Sequence, residues 1–161
     1  IPLNFKETNL TQMMTDIIKR LQPMADAKHI SLQWDASKEI HAEADEMKLS
    51  LAISNLVDNA VKYTPEEGTV KVSLDADHQN VFISVADTGI GIPEDEVNRI
   101  FERFYRVDKT RDRETGGTGL GLSITHSTIM MHKGSIKVNS KEEEGTTILV
   151  RIPLKQPTTH G

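Results

Sequence analysis

Apolar residues at Leu10, Met13, Met14, Ile17, Ile18, Leu21 and Met24 recur at helical spacing and predict a strongly amphipathic helix. Asn9 or Thr11 can cap it, and Pro23 predicts that its last turn kinks or ends early. Core packing is the plain reading of its methionines. Alternating runs over 30–34 and 40–44 predict two short strands. Asp45 then stands as an N-cap before a helix whose buried side is Leu49, Ile53, Leu56, Ala60 and Val61. Strands over 69–74 and 81–85 flank a polar turn and read as a hairpin, and Pro93 suits the first turn of a short helix with Val97 and Ile100. Leu120, Ile124, Ser127 and Met131 mark a further helix ended by Gly134, with Leu122 and Ile129 on its far side, so both flanks are expected to be covered. Strands over 135–139 and 146–152 close the pattern around a charged turn. Hairpin-paired strands with helices inserted between them favour an open sheet covered on one face, and not a doubly wound parallel sheet.

Between 102 and 117 the periodicity dissolves into five basic and four acidic side chains, which predicts a mobile loop. The bulk properties limit the alternatives. With 161 residues there is room for one domain and a proper core. The net charge of -5 argues against a general nucleic-acid binder. No run approaches the roughly 20 apolar residues of a membrane span. The absence of cysteine removes disulfides, thiolate metal sites and cysteine nucleophiles. Opening at Ile1, the chain reads as a piece of something longer, with a flexible tail expected over 156–161.

The candidate chemistry lies where the pattern breaks. Asn55, Asn59 and Lys62 stand at i, i+4 and i+7 and share one helix stripe. Asparagine is a poor mid-helix residue, so two on one face ask for a reason beyond solvation. Two glycine clusters, Asp87-Thr-Gly-Ile-Gly91 and Gly117-Thr-Gly-Leu-Gly121, flank the charged loop. Glycine-rich backbone ahead of a helix can receive phosphate through its amides. The second cluster is not a dinucleotide fingerprint, because no strand–helix–strand unit with a following acidic residue surrounds it. No GxxxxGK[ST] motif is present.

Four boxes occur in order: Asn55-Leu-Val-Asp-Asn59-Ala-Val-Lys62-Tyr63-Thr64, Asp87-Thr-Gly-Ile-Gly91, Phe101-Glu-Arg-Phe104-Tyr105-Arg106 and Gly117-Thr-Gly-Leu-Gly-Leu122. Together they resemble the ATP-binding catalytic domain of bacterial two-component sensor histidine kinases, over nearly the whole chain. The resemblance implies a Bergerat-type α+β, two-layer α/β sandwich: a mixed sheet of about five strands, with a possible small extra strand or hairpin, covered on one face by about three helices. It places that domain at 1–155. It implies ATP and Mg²⁺ as cofactors. Asn55 would bind the metal, Asn59 and Lys62 would approach the phosphates, and Tyr63 would wall the adenine pocket. Asp87 would accept from the adenine amine, with Gly89, Gly91 and Ile92 passing the base. Gly117, Thr118, Gly119, Leu120 and Gly121 would meet the phosphates, and Tyr105 and Arg106 would reach them from a lid. Thr146 matches the threonine near adenine. Phe101 and Phe104 would anchor the lid to the core.

The same resemblance implies γ-phosphoryl transfer to a histidine on a separate dimerisation domain, a response regulator downstream and no nucleic-acid partner. The isolated domain would be monomeric. The whole kinase would be a homodimer, with this portion cytoplasmic beneath a membrane anchor. None of His29, His41, His78, His126, His132 and His160 has the acceptor's sequence context, so each is expected in the core or on the surface. Two positions depart from the family pattern. Leu51 replaces a polar or acidic residue found in many relatives, and a leucine cannot act as an acid or base. Lys133 stands where a glycine is usual, which is expected to alter only the helix exit. Two other functions stay open: an ATPase clamp of the topoisomerase or mismatch-repair type, against which the aromatic box speaks, and a nucleotide sensor that transfers nothing.

Overall fold

A computed structural model describes residues 2–101 and 119–156, apart from the side chains of residues 98 and 119–121. Strand β1 (Lys6–Asn9) leads directly into helix α1 (Leu10–Ala27), with Asn9 as N-cap accepting the Gln12 amide at 3.0 Å. Thr11 serves elsewhere: its hydroxyl receives the Ile40 amide. Strands β2 (Ser31–Ala36) and β3 (His41–Ala44) follow, then helix α2 (Glu46–Lys62), capped by Asp45 through the Lys48 amide at 3.1 Å. The hairpin β4 (Thr69–Ala76) and β5 (Asn80–Asp87) precedes a single 3₁₀ turn at Val97–Arg99. Helix α3 (Gly119–Met131) and the hairpin β6 (Ser135–Lys141) and β7 (Gly145–Pro153) complete the described elements.

Five strands form one sheet in the order β2-β4-β5-β7-β6, and β1 pairs with β3 as a separate two-stranded ribbon. Only β2 and β4 run parallel, so the sheet is mixed. Alternation decides its sidedness. Val70, Val72 and Leu74 of β4, Val81, Ile83 and Val85 of β5, and Val150 and Ile152 of β7 are buried on one face. Helices α1 and α2 pack on that face, and α3 lies beside α2. The fold is the expected α+β two-layer sandwich, with β1–β3 as the small extra pair.

Two local expectations are corrected. Helix α1 does not end at Pro23 but runs one turn further, to Ala27. Pro23 lies on the exposed side, while buried Ala25 holds the inner side in the core. Nor are both flanks of α3 covered. Ile124 and Met131 are exposed, as is Ser127, while Thr125, Thr128, Ile129 and His132 are buried, with Leu122 packed against the core. Thr125 and His132 can face inward here because each finds a partner: Thr125 Oγ1 donates to the Ala52 carbonyl, and both ring nitrogens of His132 are engaged.

Candidate functional site

The C-terminal half of α2, the loop after β5 and the start of β7 meet at one end of the sheet. Asn55, Asp58, Asn59 and Lys62 form a half-buried stripe on α2, between buried Leu56, Val57 and Ala60. Neither Asn55 nor Asn59 makes a side-chain hydrogen bond to another described residue. Their amide oxygens are hard and neutral, a donor type that suits Mg²⁺. The residues therefore fit a metal–phosphate end. Among the described residues, His29, Glu66 and Glu67 also bring ligating atoms together, and all three are exposed.

Several segments tie down the last turn of α2. The Tyr63 amide donates to Asn59 at 3.0 Å, and Thr64 Oγ1 donates to the Ala60 carbonyl at 2.7 Å. Lys28, from the exit of α1, donates through Nζ to the carbonyls of Val61 (3.0 Å) and Lys62. Burial holds the Lys28 ammonium below the usual lysine range, against the opposing pull of Glu66. Lys62 itself is paired with Asp58 at 3.3 Å.

Beside this turn, Asp87 ends β5. Its Oδ1 accepts the Gly89 amide at 2.8 Å and the Thr146 amide at 3.2 Å. Burial raises the Asp87 carboxyl above the ordinary carboxylate range, and those two amides counteract it. Gly89 has no room for a side chain: a Cβ would stand 2.6 Å from the Tyr63 carbonyl and 2.8 Å from Asp87 Oδ1. Gly91 has φ +73, and a Cβ there would collide with the Lys141 carbonyl. The loop is held open by the β6–β7 turn. The Ile90 amide donates to the Tyr63 carbonyl at 3.4 Å and the Glu143 amide donates to the Ile90 carbonyl at 2.7 Å. The Ile92 amide donates to Ser140 Oγ at 2.7 Å, and Ser140 Oγ lies 2.7 Å from Thr146 Oγ1.

Helix α3 runs antiparallel to α2 and in step with it. The Asp45 amide meets His132 Nε2 at 3.1 Å near one end, and Thr125 meets the Ala52 carbonyl at 3.2 Å seven residues along. Both helices rise about 1.5 Å per residue, so the same step brings the first turn of α3, which holds Gly119, Leu120 and Gly121, level with Asp58, Val57 and Leu56. Amides free at a helix N-terminus attract anions.

The structure thus joins Tyr63, Asp87, Gly89, Gly91, Ile92 and Thr146 into one cluster through hydrogen bonds and close backbone approaches. It sets Asn55, Asn59 and Lys62 along the stripe beside that cluster, with Gly119–Gly121 level with Asp58, Val57 and Leu56. Phe104, Tyr105, Arg106, Gly117 and Thr118, and the charged loop over 102–117, lie outside the described residues. Phe101 is described, and its ring stacks on His126 at 5.3 Å between centroids, tying the end of that segment to α3. Sequence reasoning did not single out Asp58, Lys28 or Ser140. Asp58 carried a signal, its i+3 spacing from Asn55. Lys28 and Ser140 carried none, because the contacts that tie them to the site, to Val61 and Ile92, span 33 and 48 residues.

Comparison with known proteins gives a consistent result. Residues 44–156 match the family described as "Histidine kinase-, DNA gyrase B-, and HSP90-like ATPase". The chain is 40% identical over 154 residues to the sensor histidine kinase RppB of a Synechocystis species, covering 94% of this chain and 34% of that protein. It is 39% identical over 150 residues to the sensor histidine kinase WalK of Bacillus subtilis, covering 91% and 24% respectively. The chain therefore spans about a third or less of the length of these relatives. Among solved structures, the catalytic domain of histidine kinase ThkA superposes with a TM-score of 0.84 at 29% identity, over 95% of this chain and 97% of that one. Full-length ShkA, solved in complex with AMPPNP, gives 0.84 at 29% identity, over 99% of this chain and 33% of that one.

Proposed function

The chain belongs to the histidine kinase-, DNA gyrase B- and HSP90-like ATPase family, and from that premise we propose that it is the Mg-ATP-binding, phosphoryl-donating domain of a two-component sensor kinase. The observation that carries the proposal is the setting of the Asp87 carboxylate. One carboxylate oxygen is fixed by two backbone amides, and the other has no partner among the described residues. A carboxylate presented in this way accepts from an exocyclic amine, which adenine has and guanine lacks at that position.

Each residue contributes binding, orientation or charge. Tyr63 and the loop over 89–92 border the base. Asn55 would hold Mg²⁺ through its amide oxygen, with Asn59 adjoining. The metal, when bound, draws charge from the β- and γ-phosphate oxygens. Lys62 and the first-turn amides of α3 add positive potential at the same end. Arg106 and Tyr105 would act from the segment over 102–117. Phosphoryl transfer depends chiefly on positioning and charge neutralisation, so the donor half can stand apart from the acceptor. The acceptor would be a histidine on a partner dimerisation domain, reached in cis or across a dimer, and a response regulator would follow. One solved relative, ThkA, is titled as a complex with the response regulator TrrA. Residues 1–155 form the proposed domain, on the cytoplasmic side in the whole kinase.

Kinase is preferred over an ATPase clamp because the aromatic box beginning at Phe101 is of the kinase type and the named relatives are sensor histidine kinases. The test mixes this chain, γ-labelled ATP and Mg²⁺ with a separately made histidine-bearing dimerisation domain. Labelled acid-labile phosphate should appear on that domain. Measurable Mg-ATP binding without transfer would remove the kinase reading, and nucleotide-driven self-association with brisk hydrolysis would favour the clamp.

A further inference from the structure

Asp58 lies on the stripe of Asn55, Asn59 and Lys62, yet the proposed chemistry gives it no task. Its Oδ2 stands 3.3 Å from Lys62 Nζ, and both side chains are roughly two-thirds covered, at 31% and 35% exposure. The pair is an i,i+4 contact with the acid on the N-terminal side, the favourable orientation on a helix. Such pairs are weak when solvent reaches them, so little holds Lys62 to Asp58 once a stronger anion is near. The in-step packing of α2 and α3 puts Asp58 level with Gly119, in the first turn of α3. A negative side chain at the end of a pocket built for a polyphosphate is repulsive unless a cation stands between them.

We propose that Asp58 is a charge latch that makes the pocket discriminate between metal-bound and metal-free nucleotide. With the pocket empty, Asp58 holds the Lys62 ammonium. When nucleotide enters, Lys62 turns to the phosphates and the released carboxylate faces the metal side. Mg²⁺ keeps several of its waters when bound to protein, and a carboxylate beside Asn55 and Asn59 can accept from one of them. Metal-free ATP meets the same carboxylate without the intervening cation and is repelled. Asp58 is thus a positioning and selectivity residue, distinct from Asn55, the proposed direct ligand. The inference rests on the ATP-binding reading.

The test titrates the 161-residue chain with ATP in saturating Mg²⁺ and in EDTA, for wild type, Asp58→Asn and, as a second substitution of different shape, Asp58→Ser. Asp58→Asn should bind metal-free ATP more tightly than wild type, and the ratio of Mg-ATP to metal-free affinity should fall by on the order of tenfold. The Mg²⁺ concentration for half-maximal nucleotide binding should rise. An unchanged ratio, whether both affinities stay put or shift together, would reduce Asp58 to an ordinary helix-surface partner of Lys62 and overturn the proposal. Wild type that binds Mg-ATP while the ratio is unmoved sinks the latch alone. Wild type that binds no nucleotide in either condition sinks the ATP reading and the latch with it.

Discussion

Asp87 and Thr146 stand opposite one another on β5 and β7, and the Thr146 amide donates to Asp87 Oδ1, the same oxygen that receives Gly89. This arrangement gives Asp87→Asn a definite consequence. To keep accepting both backbone amides, the new side chain must hold its oxygen at the Oδ1 position, which turns its NH₂ toward the base. Two donors would then face the adenine amine. A hydrogen bond to a charged group contributes about 1.5–3 kcal/mol, so nucleotide affinity should drop by roughly tenfold or more. Titration with ATP or ADP checks this, with a melting curve to confirm that the fold is retained. Unchanged affinity would undo the assignment of the adenine pocket.

His132 predicts a pH response in stability. Its ring is buried, its Nδ1–H donates to the Thr128 carbonyl at 2.8 Å, and its Nε2 accepts the Asp45 amide at 3.1 Å. The Phe5 ring packs edge-on at 5.2 Å. The Asp45 contact requires the neutral ring, because a second proton, on Nε2, would meet the Asp45 N–H with another donor. Burial lowers the pKa below the ordinary histidine value, against the Thr128 bond and the Asp45 charge, which raise it. The unfolded chain therefore takes up a proton at higher pH than the folded one. Stability from this group is complete above about pH 6.5 and declines as pH falls from there toward the lowered folded value, by at most about 1.4 kcal/mol per pH unit. Melting temperatures measured between pH 7.5 and 5.5 should show the decline. His132→Gln should melt lower throughout, with a flatter slope over the same window.

Most of the fold was legible because its elements are long and strongly periodic. Helix α2 was marked by Asp45 and by the spacing of Leu49, Ile53, Leu56 and Ala60, and these are its cap and its buried face. Helix α3 was legible as a helix but not in its orientation. Its mean hydropathy is high on every side, so Ile124 and Met131 were as plausible inward as Ile129, and only the partners Ala52 and Asp45 brought Thr125 and His132 to the core. The site divides in the same way. Asn55 and Asn59 were visible as polar residues in mid-helix, and Asp87 through the ordered motif boxes. Ser140 and Lys28 act through contacts across the sheet or between helices, and neither periodicity nor composition records those.

Lys133 adopts φ +62 at the exit of α3. The Gly134 amide reaches back to the Ile129 carbonyl at 3.0 Å and the Lys133 amide to Met130 at 2.9 Å, the paired bonds of a Schellman ending with Lys133 at the left-handed position. A side chain with a Cβ is strained there by about 1 kcal/mol. Lys133→Gly should relieve that strain. Part of the gain is offset by the greater freedom of glycine in the unfolded chain, leaving a stabilisation of about 0.5 kcal/mol. Thermal unfolding should register a rise of about 1–2 °C. A lower melting temperature would mean that the lysine stem contributes packing outweighing its strain.

Leu51 is 57% exposed on α2, one turn before Asn55. An exposed leucine contributes little to the core, so Leu51→Glu should change stability by no more than about 0.5 kcal/mol. It should also leave Mg-ATP binding intact, since Asn55, Asn59, Lys62 and Asp87 are untouched. The unmodified protein, with no acid or base at this position, should hydrolyse ATP slowly in the absence of an acceptor. Phosphate release assays on both proteins check the pair of expectations. Vigorous hydrolysis by the unmodified chain would count against the role assigned to this position.

Lys28 links the far end of α1 to the residues that would face the phosphates. Its ammonium donates to the carbonyls of Val61 and Lys62, two of the groups that the end of α2 cannot satisfy internally. It also places a positive charge at the negative pole of that helix. Thr64 and Ile90 hold the neighbouring carbonyls of Ala60 and Tyr63, so the whole turn is fixed from outside the helix. Lys28→Met keeps the aliphatic stem and removes both donors and the charge. It should cost about 1–2 kcal/mol of stability and expose the amides of Tyr63 and Thr64 to faster hydrogen exchange. Nucleotide affinity should fall as well, because Lys62 and Tyr63 sit on the loosened turn, while Asp87 and its amides keep their geometry. Lys28→Arg should restore part of both losses. Faster exchange at Tyr63 with unaltered affinity would show that the turn needs no anchor to meet its ligand, and that Lys28 serves the fold alone.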